Sequence, residues 1–396
     1  MLRRVSSWIH LYGGLALGGL LIVISVSGSA LVFEDTLNEW IRPDLHHVTP
    51  TGERAPLDAV VGAVREAYPD ATPWIANLST APTEPVVVRL GPDAPSVFVD
   101  PYRATVLGAQ RPDEGVVNTV VGLHVELLAG RTGGVIVGVS GLLLVLLTAT
   151  GLVLWWPRRL RQFGRALRIS WRQGRVRFNY DLHRAGGFYT TLFLLLTALT
   201  GSAFVFYPTT QQLISTVTKT EPWPPSAPTV DEAQGVETPA AVSYREVMAA
   251  TQQVLPAAEP TYLYFPTSPE APVTVRLRTP PEWHPNGRSF VYLNPSTASV
   301  LRVDDAREAP WGAQLLQTFY PLHVGAVGGL FVKWLYVVLG LAPAVLSVTG
   351  TIVWYQRWRT VAPSAKAPAA TSENTRYVVG PDDPTADQRP SIPPRP

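Results

Sequence analysis

The chain contains no cysteine, and this absence excludes two kinds of chemistry at once. Without cysteine there are no disulfides, and there is no Cys-x-x-Cys-His motif for covalent haem attachment. Charged residues are also scarce, at 16% of 396 residues, whereas hydrophobic residues make up 46%. No glycine-rich Rossmann or P-loop pattern is present, which argues against a nicotinamide, flavin or nucleotide site. The composition therefore indicates something other than an ordinary soluble protein.

The hydrophobic residues are concentrated in four blocks. Charged residues are absent from 9–33, 132–156 and 185–217, and the block 323–355 contains only Lys333. Each block exceeds the roughly 20 residues with which a helix spans a bilayer. The sequence therefore predicts four transmembrane helices within 1–33, 124–157, 183–208 and 323–356.

Arginine is distributed unevenly around these blocks. Arg3 and Arg4 precede the first, Arg357 and Arg359 follow the fourth, and eight more lie between the second and third: Arg158, Arg159, Arg161, Arg165, Arg168, Arg172, Arg175 and Arg177. The positive-inside rule then places both termini and the basic loop 158–182 in the cytoplasm. Segments 34–123 and 209–322 are predicted to be extracytoplasmic domains, in a protein of the inner (cytoplasmic) membrane. The proline-rich stretch 357–396 is predicted to be a disordered cytoplasmic tail.

The N-terminus also resembles a secretory signal peptide, because a basic pair, an apolar run and Ser27-Gly28-Ser29-Ala30 occur in that order. The apolar run is longer than the ~7 to 15 residues of such a core. The same pattern recurs in the third block as Thr200-Gly201-Ser202-Ala203. The recurrence favours a membrane helix over a cleaved signal.

Four histidines repeat with the blocks. His10 and His183 each lie eighteen residues before the glycine of these runs, and His124 and His323 each lie twenty-seven residues before Gly151 and Gly350. The pattern indicates two tandem repeats. A pseudo-two-fold axis along the membrane normal would bring equivalent residues face to face.

The segments between the blocks repeat as well. Residues 57–68 and 244–255 show the apolar spacing of a helix. The valine-rich runs 85–90 and 272–277, and the strand-turn-strand patterns around Asp100-Pro101 and Asn294-Pro295, predict short strands. The fold class predicted is an α+β membrane protein, with a small α+β domain in each repeat.

Symmetric histidines on facing helices suit a haem iron, which takes two axial ligands from opposite sides. We therefore predict b-type haem, one or two, held by His10/His183 and His124/His323. Gly13-Gly14 and Gly186-Gly187 would leave room for a flat macrocycle or would allow close helix packing.

His46, His47 and His284 have no counterparts in the other half of the chain and are predicted to be solvated surface residues. A single helix from His124 to Trp155 would separate the two haem layers widely, and a break at 130–134 or a strong tilt would shorten that distance. Two roles are open for Tyr12, Phe33, Trp334 and Tyr336: they lie between the layers, or they are membrane-belt and packing residues.

The chain resembles a known family, the PepSY-associated transmembrane proteins. The resemblance covers residues 8–358 and rests on four features: the strand-turn-strand run 98–107, His10-Leu11-Tyr12-Gly13-Gly14, His183-Arg184-Ala185-Gly186-Gly187, and the pairs Leu123-His124 and Leu322-His323. It implies PepSY-like outer domains. Some members are inner-membrane reductases of siderophore iron that contain b-type haem.

The resemblance implies electron transfer from an unknown donor to an external ferric chelate or siderophore. The partners expected are the lipid bilayer and this acceptor, with no nucleic acid. An alternative is a non-enzymatic membrane protein whose PepSY domains bind or regulate a partner protein. A transporter is the third reading, for which four helices leave little room.

Overall fold

The computed structural model describes residues 1–230 and 242–361. Four helical segments are long and apolar enough to cross a membrane: Leu2–Leu31, Gly130–Trp155, Gly174–Val205 and Gly329–Arg359. The first three are the single helices α1, α6 and α8, and the fourth is built from α13 (Gly329–Gly340) and α14 (Ala342–Val361). The prediction of a membrane protein with four spanning helices is confirmed.

Hydroxyl and small side chains fill the contacts between these helices. Ser25, Ser27, Thr148 and Thr200 are buried, and each donates its hydroxyl to a backbone carbonyl three or four residues earlier. A hydroxyl satisfied by its own helix adds no unpaired polar group to an apolar interior. α1 packs on α6 and α13, while α8 packs on α6, on α13 and on the short helix α12 (Phe319–Val324).

The strands form one antiparallel sheet of eight. Their order is β4-β3-β2-β1-β5-β6-β7-β8. The bounds are β1 Ile75–Asn77, β2 Val86–Arg89, β3 Ser96–Asp100, β4 Thr105–Gln110, β5 Glu259–Tyr264, β6 Val273–Arg278, β7 Ser289–Leu293 and β8 Val300–Asp304. β1 and β5 join the two halves, with Ala76 opposite Leu263. The predicted strands are confirmed.

Two helices cover one face of this sheet, and both were predicted from periodicity. They are α4 (Leu57–Ala67) and α10 (Tyr244–Val254). Val61, Val247, Val88 and Val275 belong to one hydrophobic core shared by both halves. Pairing β1 with β5 covers two strand edges that would otherwise be unpaired, and it lets the two halves share this core.

Shorter elements connect the sheet to the spans. They are α2 (Glu34–Ile41), α3 (Pro43–His46), α5 (Val116–Glu126), α9 (Tyr207–Thr218), α11 (Trp311–Gln317) and α12 (Phe319–Val324). A 3-10 turn (Leu160–Gln162) and α7 (Phe163–Ala166) lie in the arginine-rich loop.

Residues 355–361, at the end of α14, are the described part of a second structural unit, and the rings of Tyr355 and Trp358 stack within it. The predicted disordered tail falls almost entirely on 362–396, outside the described residues.

Candidate functional site

The structure brings the four histidines together as two pairs. His10 of α1 and His183 of α8 have ring centroids 6.1 Å apart, and we call them the loop-side pair because the arginine-rich loop lies at that end of the spans. His124 of α5 and His323 of α12 have centroids 6.3 Å apart and form the sheet-side pair. These are the two pairings expected from the repeat pattern.

Each histidine ring lies against a glycine of a neighbouring helix. A Cβ atom built on that glycine would meet the ring's Cε1 atom at 2.9 Å for Gly151 and His10, 2.5 Å for Gly28 and His124, 2.9 Å for Gly350 and His183, and 3.0 Å for Gly201 and His323. Real Cβ atoms are rarely found at such distances, so a larger residue would displace the ring. The four glycines of the repeated motifs therefore form the seats of the four histidines.

The Nδ1 atom of each ring bonds to the helix that carries its glycine. His10 donates to Leu147 O at 2.9 Å, His124 to Ile24 O at 2.9 Å and His183 to Leu346 O at 3.1 Å. A carbonyl oxygen can only accept, so Nδ1 carries the proton in these rings. Nε2 is then unprotonated, and its lone pair is free to bind a metal ion.

His323 reaches the same state through a hydroxyl. Its Nδ1 lies 2.9 Å from Thr200 Oγ1, and this hydroxyl donates its own hydrogen to Leu196 O at 2.7 Å. The hydroxyl hydrogen is used there, so Nδ1 must be the donor to Oγ1. All four histidines therefore present the Nε2 lone pair, with ring orientation set by a second hydrogen-bonded group.

A break in the second span explains how His124 reaches this position. α5 ends at Glu126, Leu127 and Leu128 are left-handed with φ of 54° and 57°, and α6 begins only at Gly130. The break thus lies just before the predicted 130–134. His323 is separated from its span in the same way, because Gly325 and Gly329 are left-handed between α12 and α13.

The two pairs lie at opposite ends of the spans. Gly28, which seats His124, is eighteen residues along α1 from His10. At ~1.5 Å per residue the pairs are roughly 27 Å apart along the helix axis. A single helix over the 31 residues from His124 to Trp155 would have placed His124 roughly 46 Å from Trp155.

The two glycine pairs predicted to make room beside His10 and His183 have mixed roles. A Cβ on Gly13 would lie 3.1 Å from Leu147, so this glycine permits close packing of α1 on α6. A Cβ on Gly14 would meet nothing within 4 Å, and one on Gly186 or Gly187 would be in ordinary contact or beyond. The glycines that touch the histidines are instead those across the helix interface, which are close only in the folded structure.

The four aromatic residues considered as intermediates have different surroundings. Trp334 packs on Phe33 with centroids 4.9 Å apart, and Tyr12 is exposed. Tyr336 is buried near the sheet-side pair, where its hydroxyl donates to Leu322 O.

The remaining histidines were all predicted to be solvated. His47 is exposed and lies 2.8 Å from Glu39, whereas His46 is half-buried against the ring of Phe98. The prediction was wrong for His284, which is only 8% exposed. Burial and the nearby guanidinium groups of Arg276 and Arg288 lower the pKa of His284 to about 3, so the ring is neutral. Sequence reasoning missed this residue because it belongs to the insertion found only in the second half.

Comparison with known families gives one whole-chain match. The family model described as the PepSY-associated TM region matches residues 7–357, a range that includes all four paired histidines. No curated protein matches the chain.

Proposed function

This chain belongs to the family of PepSY-associated transmembrane proteins, and from that premise we propose that it is a haem b membrane oxidoreductase. It passes electrons across the inner membrane to an extracytoplasmic acceptor, a ferric siderophore or another ferric chelate used in iron uptake. The observation that carries this proposal is the presence of two histidine pairs with matched geometry, one near each end of the spans.

The spacing within each pair suits two histidines that would hold one iron between them. An imidazole nitrogen binds a metal ion at about 2 Å and lies roughly 1 Å from its ring centroid, so two such ligands on opposite sides place their centroids roughly 6 Å apart. The observed separations are 6.1 and 6.3 Å.

The donor set also favours haem over a metal ion bound by protein alone. Within residues 1–230 and 242–361, no group of three or more histidine, aspartate or glutamate side chains is arranged to hold a metal ion. Two nitrogens are fewer than the three or four protein ligands of a zinc site. A porphyrin supplies the other four nitrogens, so two histidines complete the coordination of its iron.

Haem b held by each pair would supply a one-electron carrier. The protein's own contribution is to orient the four rings, keep Nε2 unprotonated and surround the pairs with apolar helix. Leu147 and Leu346 provide the accepting carbonyls at the loop-side pair, and Ile24 and Thr200 provide the acceptors at the sheet-side pair. Hydrogen bonding of this kind raises the basicity of a ligating histidine.

The direction proposed for electron transfer follows from the distribution of arginine around the four spans. Four spans leave the sheet-forming segments on one side of the membrane and the arginine-rich loop on the other. The positive-inside rule makes the loop side cytoplasmic. The loop-side pair would then receive electrons, and the sheet-side pair would deliver them outside, with both termini in the cytoplasm.

The same contacts support an origin by duplication. In each half of the chain, the histidine near the start of that half's first span lies against the glycine of its second span. The histidine that precedes the second span lies against the glycine of the first span. We therefore propose that the chain consists of two tandem repeats, and that each repeat contributes half of both haem sites.

An absorption spectrum of the full-length protein tests the haem assignment. Protein purified in mild detergent, oxidised and then reduced with dithionite, is expected to show low-spin b-type bands with two haems per chain. His10→Ala and His124→Ala should each remove one haem, whereas His47→Ala, which changes an exposed histidine outside both pairs, should retain both.

A colourless protein after haem-supplemented expression would overturn the proposal. In that case the histidine pairs would serve helix packing. The alternative function, a non-enzymatic PepSY protein that binds or regulates a partner, would then explain the sheet.

A further inference from the structure

A row of rings leads away from the sheet-side pair toward the surface. His323 and Phe204 have centroids 5.5 Å apart, and Phe204 and Tyr320 have centroids 6.3 Å apart. Tyr320 stacks on His284 with centroids 4.9 Å apart and an interplanar angle of 21°. Consecutive ring contacts therefore connect a histidine of the pair to the turn between β6 and β7.

The row ends at a cavity, which we call the hairpin pocket. Its volume is about 190 Å³. The side chains that form most of its wall are Glu282, Trp283, His284, Arg307, Gln314 and Gln317. The pocket lies where the β6–β7 turn meets α11 and residue Thr318. It thus combines a surface opening with the last ring of the row.

One wall residue of the hairpin pocket has an unmatched hydrogen-bond donor. Gln317 Nε2 is buried without a partner. A buried donor left unpaired costs about 1–3 kcal/mol, which an accepting ligand atom would recover. Trp283, which also lines the pocket, is 63% exposed and presents an apolar ring. Oxygen-rich ligands, including carboxylate and hydroxamate groups, match this combination.

The first half of the chain has no comparable turn. β2 and β3 are joined by residues 90–95, whereas β6 and β7 are joined by residues 279–288. The longer turn carries Trp283 and His284. The row of rings to this turn starts from His323 of the second half.

We propose that the hairpin pocket binds an oxygen-rich ferric chelate, and that Phe204, Tyr320 and His284 provide the packed route from the sheet-side pair to it. This inference rests on the proposed function. An iron held by His124 and His323 would change from ferrous to ferric on giving one electron, and that electron would reduce the ferric ion of the chelate to ferrous. No bond to the protein forms or breaks, and no proton is required.

The size of the hairpin pocket limits how the chelate binds. Small-molecule pockets usually measure roughly 300–1,000 Å³, more than the volume here. Only one chelating arm enters, and the remainder of the complex stays in water. Shallow binding suits a reductase that must release its product.

Binding of gallium(III) citrate, a redox-inert copy of the ferric complex, tests the pocket separately from electron transfer. The experiment is calorimetry on the full-length protein in detergent, with metal-free citrate as the control titrant. Trp283→Ala and Gln317→Leu should each weaken binding about tenfold while the haem spectrum is unchanged. Trp311→Ala removes a tryptophan of similar exposure (60%) outside the pocket and should bind as the wild type does.

Reoxidation of the dithionite-reduced protein by ferric citrate tests the route. Tyr320→Leu should abolish the fast phase, and Tyr320→Phe, which keeps the ring, should retain it. Both variants should bind gallium(III) citrate like the wild type. A fast phase retained in Tyr320→Leu would overturn the route.

Different results would contradict the hairpin pocket and the proposed reductase function. If the wild type contains haem and reduces ferric citrate while Trp283→Ala and Gln317→Leu bind gallium(III) citrate normally, the pocket is wrong and the proposed function stands. If the wild type is colourless, the proposed function fails, and the route to the pocket fails with it.

Discussion

A glycine across a helix interface holds each of the four histidines in place. The histidines themselves are evident from their spacing in the sequence, because burying an imidazole among apolar residues requires a partner. The partner is less evident, since Gly28 seats His124 rather than the histidine on its own helix. The repeated Ser/Thr-Gly pairs in all four spans are the signal that could have identified it.

Gly28→Ala is the prediction at this scale. The added methyl would lie 2.5 Å from His124 Cε1, so the ring must move and the sheet-side haem should be lost or become high-spin. Gly14→Ala is the matched control in the same helix, because its methyl meets nothing within 4 Å. Haem content and the reduced absorption spectrum are the measurements. Equal spectra for the two variants would show that Gly28 does not position His124.

At the scale of secondary-structure elements, the important features lie at the ends of helices. The left-handed residues between α5 and α6 separate His124 from its span and turn it toward α1. At the other end of α6, the guanidinium of Arg3 donates to the carbonyls of Val153 and Leu154 at 3.2 and 3.4 Å. These carbonyls have no partner within the last turn of the helix, and a cation there also interacts favourably with the helix dipole.

Arg3→Ala should therefore destabilise the protein by about 1–2 kcal/mol. Arg4→Ala provides the comparison, because it removes the same charge at the same end of α1 from an exposed residue for which no such hydrogen bond occurs. The measurement is thermal denaturation in detergent, and Arg3→Ala is expected to unfold at a lower temperature than Arg4→Ala. Identical transitions would mean that Arg3 contributes only through its charge.

At the scale of the whole molecule, one sheet is continuous across both halves of the chain. The β1–β5 pairing and the shared core connect the segment that follows the first span to the segment that follows the third span. Because the sheet and the arginine-rich loop are on opposite sides of the spans, a single orientation in the membrane determines the direction proposed for electron transfer.

The absence of cysteine makes this orientation simple to measure, since any cysteine introduced is unique. Glu53→Cys and Arg172→Cys replace exposed residues on the sheet side and in the arginine-rich loop. A membrane-impermeant maleimide should label Glu53→Cys in spheroplasts and Arg172→Cys only after permeabilisation. The reverse pattern would invert the membrane orientation and, with it, the direction of electron transfer.

The sequence by itself determined the four spans, the helices α4 and α10, six of the eight strands and the identity of the four paired histidines. These depend on composition and periodicity within short stretches, which are local properties. The tertiary structure alone decided that the strands form one sheet, that each histidine lies on a glycine of another helix, and that His284 is buried beside Tyr320. Those features depend on contacts between residues far apart in the chain, whose register no local pattern records.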